Sequence, residues 1–265
     1  MTLSELPPYR AVLVVDTKEF GSNSDAGQDV LAQAIPEVVA LAFERAGLAH
    51  VWAGALFPHN TGDGFGIGFD TRYLPAVVTR FFDELEKVLA ERDGRLRSYG
   101  RHIRLRMRAS LNVGPVRESD QPGKVAVVGN TVIATHRLLD AGPVRDILAR
   151  SDPDQTFLSV ALSQRVFEDV LASEYATLPA ARVVPRRVQV KEFVGTVYLY
   201  VPNPSGDLLR DGFGESEQYQ EALDEAKPVP TTTTNYSKNV LSGGIHAGPT
   251  IQVGYLRGGM HGTDK

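Results

Sequence analysis

The sequence predicts an α+β domain, an open mixed or antiparallel sheet covered by helices, followed by a flexible C-terminal tail. Three observations carry this expectation. Apolar runs of strand length are interleaved with stretches of helical period, the pattern of helices packed on a sheet. With 265 residues, 42% of them hydrophobic and 23% charged, the chain is long enough to bury a sizeable core. After Val201 the composition turns acidic, and it then becomes rich in Pro, Thr and Gly.

Ala11–Asp16 (AVLVVD) is a continuous apolar run ending on a carboxylate, which predicts a central strand covered on both faces. Phe20–Gln28 is a turn-rich break. Asp29–Gly47 has helical period, with Val30, Ala34, Val38, Leu41 and Ala42 on one face. Pro36 inside it predicts two short helices or a kink. Val51–Phe57 and Gly64–Phe69 read as the strands of a hairpin, with Asp63 at its tip. Leu74–Glu91 is a second amphipathic helix, with Leu74, Val77, Val78, Phe81, Phe82, Leu85 and Leu89 inward. Ile103–Val113 is a long strand in which Arg104, Arg106 and Arg108 alternate with Ile103, Leu105 and Met107; the arginines predict a solvated face. Val125–Val128 is a further strand, and Thr131–Ala149 is a helical region broken at Pro143. Phe157–Leu158, Arg187–Lys191 and Thr196–Val201 complete the strands, with Ala161–Leu171 as a helix between them.

Composition narrows the function classes. A net charge of −4 argues against nucleic acid as a partner, since phosphate backbones call for a dense cationic surface. The absence of cysteine excludes disulfides, thiolate catalysis and thiolate metal sites. No apolar run approaches the roughly 20 residues needed to span a bilayer, and Met1–Arg10 is not a secretory signal. A cytoplasmic protein with no membrane partner is expected.

The organisation is expected to be tripartite: a domain over 1–202, a linker over 203–235, and a self-association motif over 236–265. Pro202–Ala226 holds seven acidic residues against one basic residue, and Lys227–Thr234 (KPVPTTTT) reads as extended. Asn239–Gly262 has seven glycines and no acidic side chain. It is too short to build a core of its own.

Asp16 ends one strand and Asp63 lies at a hairpin tip. If those strands are neighbours, two carboxylates meet at one edge of the sheet and repel each other unless a cation intervenes. Mg²⁺ or Mn²⁺ suits that position, because hard cations take oxygen ligands and share them with substrate phosphates. The backbone through Thr17, Lys18, Glu19, Phe20 and Gly21 then turns toward a helix and offers amide groups to a triphosphate. The alternative is that Asp16 caps a turn and Asp63 only serves its hairpin.

Five segments, in order, resemble the class III nucleotide cyclases, particularly the short actinobacterial cyclase-like proteins. They are VVDTKEFG at 14–21, TGDGFGIGF at 61–69, LRMRASLNVGPV at 105–116, VGNTVIATHRLLDA at 128–141 and VKEFVGTVYLYV at 190–201. The resemblance implies a ferredoxin-like cyclase fold, with Asp16 and Asp63 as metal ligands and 17–21 as the phosphate-holding backbone. It implies a transition-state arginine at Arg137 and a basic phosphate contact at or near Lys191. It also implies a nucleoside triphosphate substrate, a cyclic nucleotide and pyrophosphate as products, and a head-to-tail homodimer. The metal would stabilise the attacking 3′-alkoxide and the leaving pyrophosphate, and Arg137 would add positive charge where negative charge develops.

The chain departs from the family's pattern at several positions. Ile133 replaces the asparagine that orients the ribose, four residues before Arg137. His59 stands where a base-reading lysine is common, and its second base-reading partner falls near Ala126. Asn112 replaces a histidine of the strand. The metal half of the pattern is kept and nucleotide recognition is altered.

Within the tail, Ile251-Gln252-Val253-Gly254 alternates apolar and amide side chains without charge, a composition that can stack in register. This IQVG tetrad resembles the core of the RIP homotypic interaction motif, and its surroundings are similar to bacterial amyloid signalling sequences. The resemblance implies assembly templated by a receptor or effector with a matching motif, in signalling or antiviral defence. Two functions follow. One is a nucleotide cyclase regulated through its tail, and the other is a catalytically degenerate module that binds nucleotide and acts by assembly.

Overall fold

The computed structural model of the chain describes residues 5–118 and 127–213. Most of the expected linker, the Gly-rich motif and Ala126 lie outside the described residues.

The chain begins with β1 (Tyr9–Thr17), α1 (Asp25–Arg45) and a short α2 (Ala49–Ala53). A hairpin of β2 (Leu56–Asn60) and β3 (Gly64–Phe69) follows. The helix α3 spans 74–99: α-helical over Leu74–Ala76, π-helical over Val77–Phe81, and α-helical again over Phe82–Tyr99. Then come β4 (Met107–Pro115), the two-residue strands β5 (Arg117–Glu118) and β6 (Val127–Val128), α4 (Asn130–Leu139) and α5 (Gly142–Arg150). The remaining elements are β7 (Leu158–Ser163), a helical stretch α6 over 164–172, β8 (Val184–Val190), β9 (Phe193–Tyr200) and α7 (Asp207–Asp211).

Seven strands form one sheet in the order β2-β3-β1-β4-β7-β9-β8. The β4–β7 pair is parallel and the other pairs are antiparallel, so the sheet is mixed and open. Its first half, β1-α1-β2-β3-α3-β4 with spatial order β2-β3-β1-β4, is the ferredoxin-like βαββαβ arrangement. The expected α+β class, with an open sheet covered by helices, is therefore the observed one.

Alternation along β1 sets the two layers. Ala11, Leu13 and Val15 enter the main core with α1 and α3, including Leu31, Ile35, Phe43, Phe81, Phe82 and Leu85. Val12 and Val14 face the other way, onto Leu139 of α4. Both sides of β1 are covered, as the apolar run predicted. All seven residues expected inward on the second helix are buried. Pro143 starts α5, so the expected break there is real.

Five expectations are corrected. Helix α1 runs unbroken through Pro36. Leu31 and Ile35 before it, and Val38, Val39, Ala42 and Phe43 after it, enter the same core, and that shared burial outweighs one missing backbone bond. Its inward face is also turned from the expected one: Val30, Ala34 and Leu41 are only partly buried. The apolar run from Val51 starts as helix α2, because Trp52 packs against Phe43 and Phe65 with ring centroids 5.8 and 5.4 Å apart. Ala161–Ser163 belongs to β7, paired to β4 and β9, and the helix begins only at Gln164. The chain past Pro202 stays on the body: Leu208 is buried, and Arg186 donates to the Phe213 carbonyl at 3.1 and 2.7 Å.

Candidate functional site

The site is built where β1 ends between β3 and β4. Register pairs Asp16 with Gly64 of β3 on one side and with Arg108 of β4 on the other. A Cβ at Gly64 would run into the Val15 carbonyl, so only glycine lets β3 lie this close to β1. A Cβ at Gly66 would strike the His59 ring; the missing side chain lets His59 fold back across its own hairpin. Within TGDGFGIGF, Gly64, Gly66 and Gly68 thus serve close approach, the last admitting the Phe57 ring.

Asp63 sits at the hairpin tip. Its backbone carbonyl accepts from the Thr17 amide at 2.9 Å, tying the tip to the end of β1. Thr61 donates its hydroxyl to the Asp63 carboxylate at 2.9 Å. Gly62, at φ 89°, supplies the left-handed residue of this turn. Asp16 is enclosed where Asp63 is exposed. Arg108 grips both Asp16 oxygens, with Nε donating to Oδ1 at 2.7 Å and Nη2 donating to Oδ2. Burial pushes the Asp16 carboxyl up to about 6; Arg108 opposes that shift, while Asp140 and Asp63 add repulsion.

Of the arginines over 95–108, Arg95, Arg97 and Arg101 are exposed, but Arg104, Arg106 and Arg108 do not form the expected solvated face. Arg108 is committed to Asp16, Arg104 pairs with Asp93 and Asp154, and Arg106 is buried. Reading along one strand missed the Arg108–Asp16 pair because the partner comes from a neighbouring strand. The alternation of charge was the signal, and the strand order was the missing information.

The stretch 17–21 has fewer free amides than its sequence suggests. The Thr17 amide is taken by Asp63, and the Lys18 amide donates to the Arg106 carbonyl at 2.8 Å. Glu19 is left-handed at φ 57° and opens a single turn over Phe20–Ser22, whose Ser22 amide returns to the Glu19 carbonyl at 3.1 Å. The Phe20 and Gly21 amides, at the start of that turn, have no acceptor within it. Phe20 packs on the core and Gly21 is exposed. Lys18 Nζ donates to the Glu19 carboxylate at 2.6 Å. The Thr17 hydroxyl is buried without a hydrogen-bond partner.

Arg137 lies on α4, which small polar side chains fasten to the sheet. Ser110 and Asn112 of β4 donate to the Thr135 and Thr131 carbonyls at 2.9 and 3.1 Å. Gly114 lets Thr131 in close, since a Cβ there would lie 2.6 Å from its hydroxyl. Asn112 therefore has a structural task, holding α4. The outer face of the helix carries Ile133, 54% exposed, and one turn later Arg137. The Arg137 Nε is buried with no hydrogen-bond partner. His59 and His136 approach across the gap between hairpin and helix, with centroids 5.9 Å apart. Burial and the nearby His59 lower the His136 pKa, and Arg137 and Asp140 also act on it.

Two groupings result. Asp16, Asp63, Thr17 and Arg108 meet at the end of β1, and His59, His136 and Arg137 gather beside α4, with Asp140 acting on both. Lys191 joins neither. It sits exposed, at φ 53°, in the two-residue turn between β8 and β9. The registers from β1 through β4, β7 and β9 place that turn at the opposite end of the sheet from Asp16.

The oxygen donors suit a hard cation that is shared with a ligand's phosphates. They do not suit one caged by protein alone, because among the described residues no cluster of three or more acidic, His or Cys groups forms. Asp16 would have to exchange Arg108 for the cation.

No protein-family model matches the chain, and no curated protein matches it. Among solved structures, it is similar to an adenylate/guanylate cyclase/hydrolase from Silicibacter pomeroyi at 22% identity, over 74% of this chain and 97% of that one, with a TM-score of 0.48. It is similar to the guanylyl cyclase Cya2 at 19% identity, covering 75% and 93%, with a TM-score of 0.46. The adenylyl cyclase CyaB from P. aeruginosa is 16% identical, covering 73% and 92%, with a TM-score of 0.45.

Proposed function

We propose that this chain is a cyclase-like signalling module that binds a nucleoside triphosphate, with Mg²⁺ or Mn²⁺, at the Asp16–Asp63 end of the sheet and acts through assembly by its C-terminal motif. The observation that carries the reading is the Asp16–Arg108 pair beside Asp63. It puts two carboxylates and a guanidinium at one strand end, the charges that a metal–phosphate ligand complements. In this reading the metal neutralises phosphate charge when bound, and Asp16 and Asp63 hold it. Arg108 would then be free to donate to a phosphate oxygen, and the Phe20 and Gly21 amides would be further donors for that anion. Assembly through 236–265, with a receptor or effector carrying a matching motif, and a role in defence are parts of the proposal that rest on sequence alone.

One observation favours a second reading, cyclisation of the triphosphate by a homodimer. The unpartnered Nε of Arg137 leaves a guanidinium available for a transferring phosphoryl group. Ile133, exposed one turn away, offers no hydrogen bond to a ribose, which supports binding over turnover. Calorimetry of the full chain with each of four nucleoside triphosphates and Mn²⁺, followed by mass spectrometry of the products, separates the readings. Binding without a cyclic product supports the module, and a cyclic product supports the enzyme. Binding that persists unchanged in an Asp16→Ala, Asp63→Ala double variant removes the site from both.

A further inference from the structure

The groove at the end of β1 does not stop at Asp16. A hollow of about 390 Å³ beside the Asp16–Arg108 pair is lined by Lys18, Glu19, Arg108 and Arg145, with Leu148 and Ala149 as its floor. A second hollow, of about 320 Å³, shares Lys18, Glu19, Leu148 and Ala149 and continues between His102, Arg104, Arg106 and Ser151. The first belongs to the site already described. The second is lined by neither Asp16 nor Asp63, while Glu19 lines both.

Charge balance in the second hollow is uneven. Arg104 is answered by Asp93 and Asp154, and Lys18 by Glu19. Arg106 is different. It is 6% exposed, and its Nε and Nη2 donate only to neutral oxygens, the Thr156 carbonyl at 2.9 Å and the Ser151 hydroxyl at 2.7 Å. Among the described residues no carboxylate pairs with it, and its Nη1 has no protein acceptor. Burial, and then the neighbouring Arg104, draw its pKa below the ordinary arginine value. Glu86, Glu19 and Asp152 act on it from a distance. Glu86 itself is held by the Phe157 amide and pushed up to about 7, so it is a poor counter-charge. A buried cation without a counter-ion is costly, and this one lines a hollow open to solvent.

The donors around it suit a tetrahedral oxyanion. Lys18 supplies a point charge, Arg106 a free guanidinium nitrogen, and His102 a ring at the rim. Ser22 and Asn23 line the wall but already donate to the Glu19 and Phe20 carbonyls. A planar carboxylate would use two donors of such a set, whereas a phosphate presents enough oxygens to engage the rest.

We propose that the hollow between Lys18, His102 and Arg106 is an anion site that takes a phosphate group, separate from the Asp16–Asp63 centre. The phosphate comes from free orthophosphate or pyrophosphate, or from the distal end of a nucleotide polyphosphate lying along the groove.

The test uses the full-length protein in metal-free buffer at low salt, titrated calorimetrically with orthophosphate and with pyrophosphate. Saturable binding in the millimolar range or tighter is expected, with a matching rise in Tm. Arg106→Gln should weaken it by about tenfold or more, because it removes a charge-assisted donor. Asp16→Asn should leave it within about twofold, since Asp16 does not line this hollow. If Arg106→Gln does not fold, a Lys18→Gln, His102→Ala double variant at the rim decides, with roughly fivefold weaker binding expected. Competition between pyrophosphate and a nucleoside triphosphate assigns the site to a nucleotide's tail, and simultaneous binding assigns it to a free anion. No saturable binding to the parent protein, or parent-like binding in the rim double variant, overturns the proposal. Loss of nucleotide binding in Asp16→Asn with phosphate binding intact would count against the Asp16 reading alone.

Discussion

On the α1–α3 face of the sheet, Phe43, Phe81, Phe82, Leu85 and Leu89 meet the strands hydrocarbon to hydrocarbon, and ring centroids of Phe43 and Phe81 lie 4.2 Å apart. On the α4–α5 face a smaller apolar cluster, with Leu138, Val144 and Ile147 against Ala161, Val197 and Leu199, is joined by side chains bonding helix carbonyls: Ser110 and Asn112 to α4, and Ser159 to Val144 of α5 at 3.1 Å. The first kind of contact is non-directional and rewards volume. The second is directional and fixes orientation for about 1 kcal/mol per bond. The candidate site lies on the second face, where Arg108, Asp140 and Arg137 can sit at a rim that a hydrocarbon layer would not tolerate. Both sides of the sheet bury hydrocarbon, and the second adds the directional bonds that position the site.

The largest effect should come from the apolar face. Phe81→Ala removes a fully buried ring and should cost about 3–5 kcal/mol in chemical denaturation. A cost below that of any α4-face change would break the comparison. Next comes Arg108→Ala, which leaves Asp16 enclosed without its partner and should cost about 2 kcal/mol near neutral pH. Its sign with pH follows from the raised Asp16 pKa. The protonated form is the favoured one in the fold, so its contribution is full below the ordinary value of 3.8 and fades as pH rises through about 6. Losing Arg108 raises the folded pKa further, so the penalty should shrink toward pH 4, and a flat pH profile would contradict the pairing.

A gain is expected at Glu86, the acid buried in the apolar face. Its pKa is pushed up to about 7, chiefly by burial, so wild-type stability should fall as pH rises from about 4.5 through 7. Glu86→Gln should flatten that fall and add on the order of 1–3 kcal/mol at pH 8. The same fall of urea-derived stability with pH in parent and variant would refute it. The smallest effect should be Ile133→Asn, an exposed change on the outside of α4. Stability should stay within about 0.5 kcal/mol. If the site is a competent cyclase missing only a ribose contact, turnover rises; if it is a binding module, no cyclic product emerges.

Much of the α1–α3 face was legible because burial imposes a period: the seven inward residues of α3 follow from spacing alone, and so does the two-sided cover of β1. Boundaries failed where one residue run satisfied two templates. Val51–Phe57 has strand composition, but Trp52 packing made its start a helix; Ala161–Ser163 sits in a run that reads as helix, but two neighbouring strands claimed it. Pro36 misled because the local cost of a proline is small against six core residues on its own helix.

Order along the chain was enough to nominate Asp16 and Asp63, since each is a carboxylate at the end of an apolar run or in a turn of small residues. Arg137 came instead from the resemblance of VGNTVIATHRLLDA to the cyclase pattern. Only the tertiary structure decided that Asp16 is held by Arg108, that Arg106 is buried without a counter-charge, that Asn112 fastens a helix, and that Lys191 lies at the far end of the sheet. Periodicity records which side of its own element a residue occupies. Charge pairing depends on which strand lies alongside, and in this sheet β1 lies beside β4, so Asp16 and Arg108 meet across 92 positions of sequence.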